Sequence, residues 1–252
     1  MPMLTVPYCG APPTPLDLAS AWNLDPWLLG VFALATLPLW SMRSSMAGQA
    51  DRRRWYALSL VVLFVAFVSP LCALSSALFS ARVVHHLLLI SVAAPLLALA
   101  FPAGRAASGA RLPWLVLIHV ATVWVWHAPA PYAAALSSNV LYWIMEASLL
   151  GTAALVWRDL LARQTPALRG GLAHLAIIAL MGLLGALITF APVPLYAHHF
   201  LTTEAFGLTA LEDQQLAGMI MWVPAIVPNL IAALIRLRQF VEGERALGMA
   251  SR

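Results

Sequence analysis

The residues of this chain that could do chemistry are few and unevenly placed. His85 and His86 open one apolar run, His127 closes another, Glu146 lies inside a third, and Asp213, Gln215, Met219 and Met221 follow one another along a fourth. Imidazole nitrogens ligate copper, zinc and iron, and the soft thioether of methionine suits copper(I). His85, His86, His127, Met219 and Met221 are therefore candidate metal ligands. Glu146, Asp213 and Gln215 are candidates for tuning charge and orienting the rings around them. His119, His198, His199 and Cys72 form a weaker group. His119 and His127 are separated by about 12 Å of helical rise and about 80° of rotation, so they do not share one ion. Each residue also has an ordinary use: His127 precedes Ala128-Pro129 and could close a helix, His198 and His199 could be solvated in a loop, and methionines commonly fill cores.

The elements that must position these residues are apolar helices. The chain has 252 residues, 62% hydrophobic and 10% charged, against roughly 45–50% and about 25% in ordinary soluble domains. That excludes a typical soluble globular protein, and so apolar a chain is not disordered either. A bilayer core needs about 20 apolar residues per helix. Seven runs meet the requirement, at 24–42, 55–79, 83–101, 112–127, 140–157, 171–190 and 214–235. The reading is an all-α, polytopic membrane protein, a single bundle of seven transmembrane helices over 24–235. A Pro-rich tail occupies 1–23 and a basic tail 236–252. Ser69-Pro70 predicts a kink or stop in the second run.

All 14 basic residues are arginines, and all but Arg82 fall in the segments after the first, third, fifth and seventh runs. The positive-inside rule makes those segments cytoplasmic, with the N-terminus outside and the C-terminus inside. His85, His86, His127, Glu146, His198, His199 and Asp213 then gather at the extracytoplasmic end. Residues 1–23 carry no basic n-region, so the first helix is expected to insert without a cleaved signal. Cys9 and Cys72 share the outer side; whether they pair is open, and pairing would require the tail to fold back over the second run.

The basic balance does not point to nucleic acid, because the arginines form no patch with interleaved aromatics. No hydrolase elbow, phosphate loop, zincin helix or dinucleotide fingerprint is present, so an enzyme is not expected. Without a lysine anywhere, a retinal Schiff base is impossible. A transporter with His119 as its midplane site ranks low, since no inverted repeat is visible.

Three stretches resemble the CtaG-type cytochrome c oxidase assembly factors. The first runs from Ser69-Pro70-Leu71 through Leu78-Phe79-Ser80-Ala81-Arg82-Val83-Val84-His85-His86 to Ala94-Pro95-Leu96-Leu97. The second is His127-Ala128-Pro129 with Tyr132 and Glu146. The third is Leu195-Tyr196 with Asp213-Gln214-Gln215-Leu216-Ala217-Gly218-Met219-Ile220-Met221-Trp222-Val223-Pro224. Arg82 and Ala147 stand where the family pattern has histidine. The resemblance implies seven helices in a bacterial inner membrane and a part in supplying copper to a haem-copper oxidase from the extracytoplasmic side, without turnover of a substrate. It implies oxidase subunits and other copper chaperones as partners, besides the lipid bilayer. The matching site positions are His86, His127, Glu146, Asp213 and Met219 or Met221. Two alternatives stay open: a haem-binding electron carrier with His86 and His127 as axial ligands, and an assembly scaffold that binds no metal.

Overall fold

The structure is a computed structural model that describes residues 6–42, 49–104 and 110–250. Arg43, Arg105 and Arg252, counted above for sidedness, lie outside the described residues. Every apolar run coincides with helix, and no strand occurs among the described residues. In chain order the helices are α1 (Pro26–Ser41), α2 (Gln49–Phe67), α3 (Pro70–Ala77), α4 (Phe79–Ala100), α5 (Leu112–His127), α6 (Pro129–Ser137), α7 (Asn139–Leu160), α8 (Ala167–Thr189) and α9 (Ala210–Gly243), whose helix continues to Ala250. Four of these, α4, α7, α8 and α9, are long and apolar enough to cross a membrane; the count rises to six if the bent pairs α2–α3 and α5–α6 are each one span. The remaining run of the expected seven, α1, is a shorter apolar helix.

Local chemistry sets the breaks. Ser69 accepts from the Leu71 N–H through its hydroxyl, and Pro70 occupies the first turn of α3, where a missing N–H costs nothing. The chain bends by 45° there and by 74° where Pro129 starts α6. Apolar surroundings require every backbone group to be paired within the protein, and several helix starts meet this with a side chain. Ser138 caps α7, and Thr209 and Glu212 form a reciprocal capping box on α9. The start of α4 is capped from another helix. The Asp213 carboxylate accepts from the Phe79 N–H at 2.6 Å, from the Ser80 N–H at 3.2 Å, and from the Ser80 hydroxyl.

Helix α4 lies at the centre, against α2, α7 and the first half of α9. Past His85 and His86 it widens into a π-helical turn, Leu88–Ala93, ahead of Pro95. Proline cannot donate to the carbonyl one turn back, and such turns rearrange the ladder without ending the helix. Trp157 Nε1 donates to the Ile90 carbonyl at 3.0 Å. Helices α8 and α9 cross closely: a Cβ on Gly218 would lie 2.6 Å from the Gly185 carbonyl oxygen and 2.7 Å from the Thr189 nitrogen. Small residues allow that backbone approach.

The two ends of the bundle differ. At one end Arg111 clamps Asp159 through two bonds of 2.7 and 2.8 Å, Arg52 donates to the Ala100 carbonyl, and Arg236 reaches the carbonyls of Leu160 and Ala162. At the other end the 190–209 connection is tied down. Gln214 donates to the carbonyls of Ile188 and Val193 and accepts from the Leu195 N–H, while Thr202 donates to the Ala77 carbonyl at 2.6 Å. Cys9 and Cys72 form a disulfide, so the N-terminal segment does fold back over this end.

Candidate metal centre

Helices α4, α5 and α7 bring the centre together from the second of these ends. On α4, Arg82, His85 and His86 stand at i, i+3 and i+4 and therefore share a face. All three are buried, with 0%, 0% and 1% exposure. Glu146, two turns into α7 and 1% exposed, faces them. Its Oε1 lies 3.3 Å from Arg82 Nη1, 3.6 Å from His85 Nδ1 and 3.5 Å from His86 Nε2. One ligand atom from each of His85, His86 and Glu146 falls within 4.8 Å of the others, a grouping able to hold a metal ion. His127, at the end of α5, meets the His86 ring edge to face with centroids 5.3 Å apart.

Hydrogen bonding fixes one ring directly. The Nδ1–H of His127 donates to the Val123 carbonyl at 2.7 Å; a carbonyl only accepts, so Nε2 carries the lone pair in the neutral ring. That Nε2 is buried with no partner. Both ring nitrogens of His85 and of His86, Nε and Nη2 of Arg82 and Oε2 of Glu146 likewise lack a well-formed hydrogen bond. Each such atom costs about 1–3 kcal/mol when left unsatisfied. Among the described residues they account for most of the orphaned buried polar atoms, gathered at one point.

Around the centre lies an aromatic wall. Arg82 sits over the Tyr142 ring at 5.4 Å, Phe67 meets His85 edge to face at 5.0 Å, and Tyr8 stacks on Tyr142 at 5.0 Å. Cys9 Sγ, one residue on, is 3.3 Å from the Tyr142 hydroxyl. Tyr8 also donates to Asp25 at 2.6 Å.

Several expected site residues lie elsewhere. Met219 is 47% exposed, unlike the buried residues of the centre. Met221 is buried, but it lines a separate cavity with His119. Gln215 is only partly buried; its neighbour Gln214 makes the bonds described above. Asp213 touches no imidazole and acts one step removed, by capping the helix that carries two of them. Cys72 is held in the disulfide and offers no thiolate. His199 is a satisfied structural histidine. Its Nδ1–H donates to the Ala77 carbonyl at 3.1 Å and its Nε2 accepts from the Tyr132 hydroxyl at 2.7 Å. Burial holds its pKa down at about 3. His198 is half-exposed, its pKa lowered by partial burial. Arg82 is the residue that composition and sidedness missed. Counted as a stray outer arginine, it shares the i, i+3, i+4 face with both histidines, and that spacing was the available signal.

These observations define an all-helical chain with four to six candidate membrane-spanning helices and a buried histidine, glutamate and arginine centre near one end. Residues 30–242 match the family described as cytochrome c oxidase caa3 assembly factor, Caa3_CtaG, and the chain belongs to that family. No curated protein and no solved structure matches it.

Proposed function

We propose that this assembly factor handles copper for the oxidase at the His85, His86, His127 and Glu146 centre, with the histidine-bearing end extracytoplasmic and the chain acting as a carrier that turns over no substrate. The observation that carries the reading is the cluster of buried, unpartnered imidazole nitrogens around a single carboxylate. A fold keeps such a costly arrangement where a ligand repays it.

The charges favour copper(I) over a divalent ion. Glu146 supplies one negative charge and Arg82, 3.3 Å away, one positive charge. Repulsion between the guanidinium and a dication doubles relative to a monocation at the same distance, and only one carboxylate stands against it. Imidazoles with free lone pairs suit copper(I) without adding charge. Burial by Phe67, Tyr142 and the Cys9–Cys72 strap keeps water out, which protects a reduced ion and confines its release to contact with a partner such as an oxidase subunit.

The test is the metal content and optical spectrum of the full chain purified from copper-replete, haem-sufficient cells under reducing conditions, beside a His86→Ala/His127→Ala variant. Copper at the centre in the wild type, with affinity reduced at least ~100-fold in the variant, is the expected result; loss of an outer hydrogen-bonding partner alone typically costs 10–100-fold. A Soret band that disappears in the variant assigns the rings to haem. Absence of both signals leaves an assembly scaffold and overturns the copper reading.

A further inference from the structure

A second group of soft ligands lies deeper in the bundle. His119, Met181 and Met221, from α5, α8 and α9, line one small cavity of about 30 Å³ together with Trp157 and Asn229. All three are buried, at 5%, 7% and 3% exposure. The His119 ring has a fixed orientation. Thr152 Oγ1 donates its own proton to the Ser148 carbonyl at 2.7 Å, so it accepts from the Nδ1–H of His119 at 2.9 Å. That leaves Nε2 as the lone-pair nitrogen of the neutral ring. No carboxylate lines the cavity, and its volume is that of one or two waters.

We propose that this cavity is a second copper(I) site, with His119 Nε2 and the thioethers of Met181 and Met221 as its ligands. An uncharged set of one imidazole and two thioethers discriminates for a soft monocation and against divalent ions, which gain nothing from neutral sulfur and lose their hydration. A site of a few ångströms cannot hold an organic substrate.

Its position relative to the first centre is set by two helices common to both. On α5, Val123 lines the cavity while its carbonyl holds the His127 ring, and His119 precedes His127 by about 12 Å of helical rise. On α4, Leu87, the residue after His86, lines the cavity, as do Ile90 and Ser91 of the π-helical turn. The widened turn, which follows His85 and His86 directly in the chain, thus supplies part of the cavity's wall. The arrangement gives copper(I) two stations, each able to hold an ion, a histidine–carboxylate station near the end of the bundle and a thioether station within it. The identity of the ion rests on the copper reading of the first centre, and the experiment separates the two.

Copper(I) alone is titrated anaerobically into the full chain against a chromophoric competing chelator, and the bound metal is examined by X-ray absorption. The proteins are the wild type, His86→Ala/His127→Ala and Met181→Leu/Met221→Leu, the last a volume-conserving change that cores tolerate. The expected result is two copper(I) ions in the wild type with a sulfur shell. The histidine variant keeps one ion with nitrogen and sulfur neighbours, and the methionine variant keeps one with nitrogen and oxygen only. One ion in the wild type with no sulfur shell overturns the second site and leaves the first standing. A histidine variant that binds as the wild type does, beside a methionine variant that loses metal, overturns the first centre and leaves the second. Sulfur neighbours that persist undiminished in the methionine variant assign the thioethers elsewhere and overturn the proposal. The wild-type sulfur shell is read without any substitution, so a variant that fails to fold does not blunt the test.

Discussion

Among the described residues two buried carboxylates each pair with an arginine, at opposite ends of the bundle and in opposite states of completion. Asp159 is fully buried, yet Arg111 grips both of its oxygens at 2.7 and 2.8 Å and leaves most of its own side chain outside, 55% exposed. Glu146 and Arg82 are both interior, share one contact at 3.3 Å, and leave guanidinium and carboxylate atoms without partners. Buried ion pairs repay their desolvation only when geometry is good and the remaining polar atoms are satisfied. By that standard the Arg111–Asp159 pair is there for stability. The Arg82–Glu146 pair is by the same standard a standing cost, one that the proposed metal ion would offset.

The largest effect expected from this contrast is at the satisfied pair. Arg111→Ala strands a buried carboxylate and should cost about 3 kcal/mol, the low end for breaking a buried pair because the arginine is half-exposed. Thermal unfolding of the detergent-solubilised protein measures it, and metal retention per folded molecule should not change. A loss of metal at unchanged stability would reverse the roles assigned to the two ends.

The opposite sign is expected from removing the unsatisfied pair as a unit. Arg82→Leu/Glu146→Leu should leave the metal-free protein as stable as the wild type or more so, by up to about 2 kcal/mol, since apolar replacement of a buried pair is often neutral or stabilising. The same variant should bind copper poorly. Unfolding midpoint and copper titration on one preparation decide it, and a protein that loses both stability and copper would make the pair structural.

A smaller effect sharpens where the centre gets its geometry. Asp213 holds the first turn of α4 through the Phe79 and Ser80 N–H groups, and loss of such a cap costs about 1–2 kcal/mol. Asp213→Ala should lower stability by that amount and weaken copper retention through displacement of His85 and His86, with the ligand set seen by X-ray absorption unchanged. A changed ligand set would make Asp213 a ligand itself.

How much of this was legible in the sequence differs between the two ends for a physical reason. Apolar periodicity, Pro70 and the spacing of the arginines are local signals, and they located the helices, the break after Val68 and the ends at which Arg52, Arg111 and Arg236 lie. His86, His127 and Glu146 stood out in the sequence because ionisable residues in apolar helices are expensive, about 2.5–3.5 kcal/mol each at the centre of a helix, and the fold brings the three together. Which face of α9 turned inward was not legible. Glu212, Asp213, Gln214 and Gln215 in succession put polar groups on every side of that helix and the turns beyond are apolar, so Met219 and Met221, or Gln214 and Gln215, differ only by rotation, and packing against Gly185 and Thr189 of α8 decides between them. The Cys9–Cys72 pairing depended on where a Pro-rich segment docks, set by Tyr8 stacking on Tyr142 and meeting Trp143 edge to face more than by any pattern in the segment itself.

The smallest effect concerns how the 190–209 connection covers the histidine-bearing end, and pH reads it. His199 is held neutral by burial, with its pKa at about 3 against an ordinary 6.5. Between those values the undocked connection binds more protons than the docked one, so docking strengthens as pH rises toward 6.5 and weakens as pH falls below it. Tyr132 and the Ala77 carbonyl both contact the ring, so protonation removes the acceptor that Tyr132 uses. Limited proteolysis or amide exchange of the connection should therefore accelerate progressively from pH 6.5 to pH 4. His199→Gln, which does not titrate, should show a shallower dependence from a higher baseline rate. An unchanged slope in that variant would move the pH sensitivity to another group and leave His199 a packing residue, whereas a flattened slope without loss of copper would keep this histidine apart from the proposed copper centre.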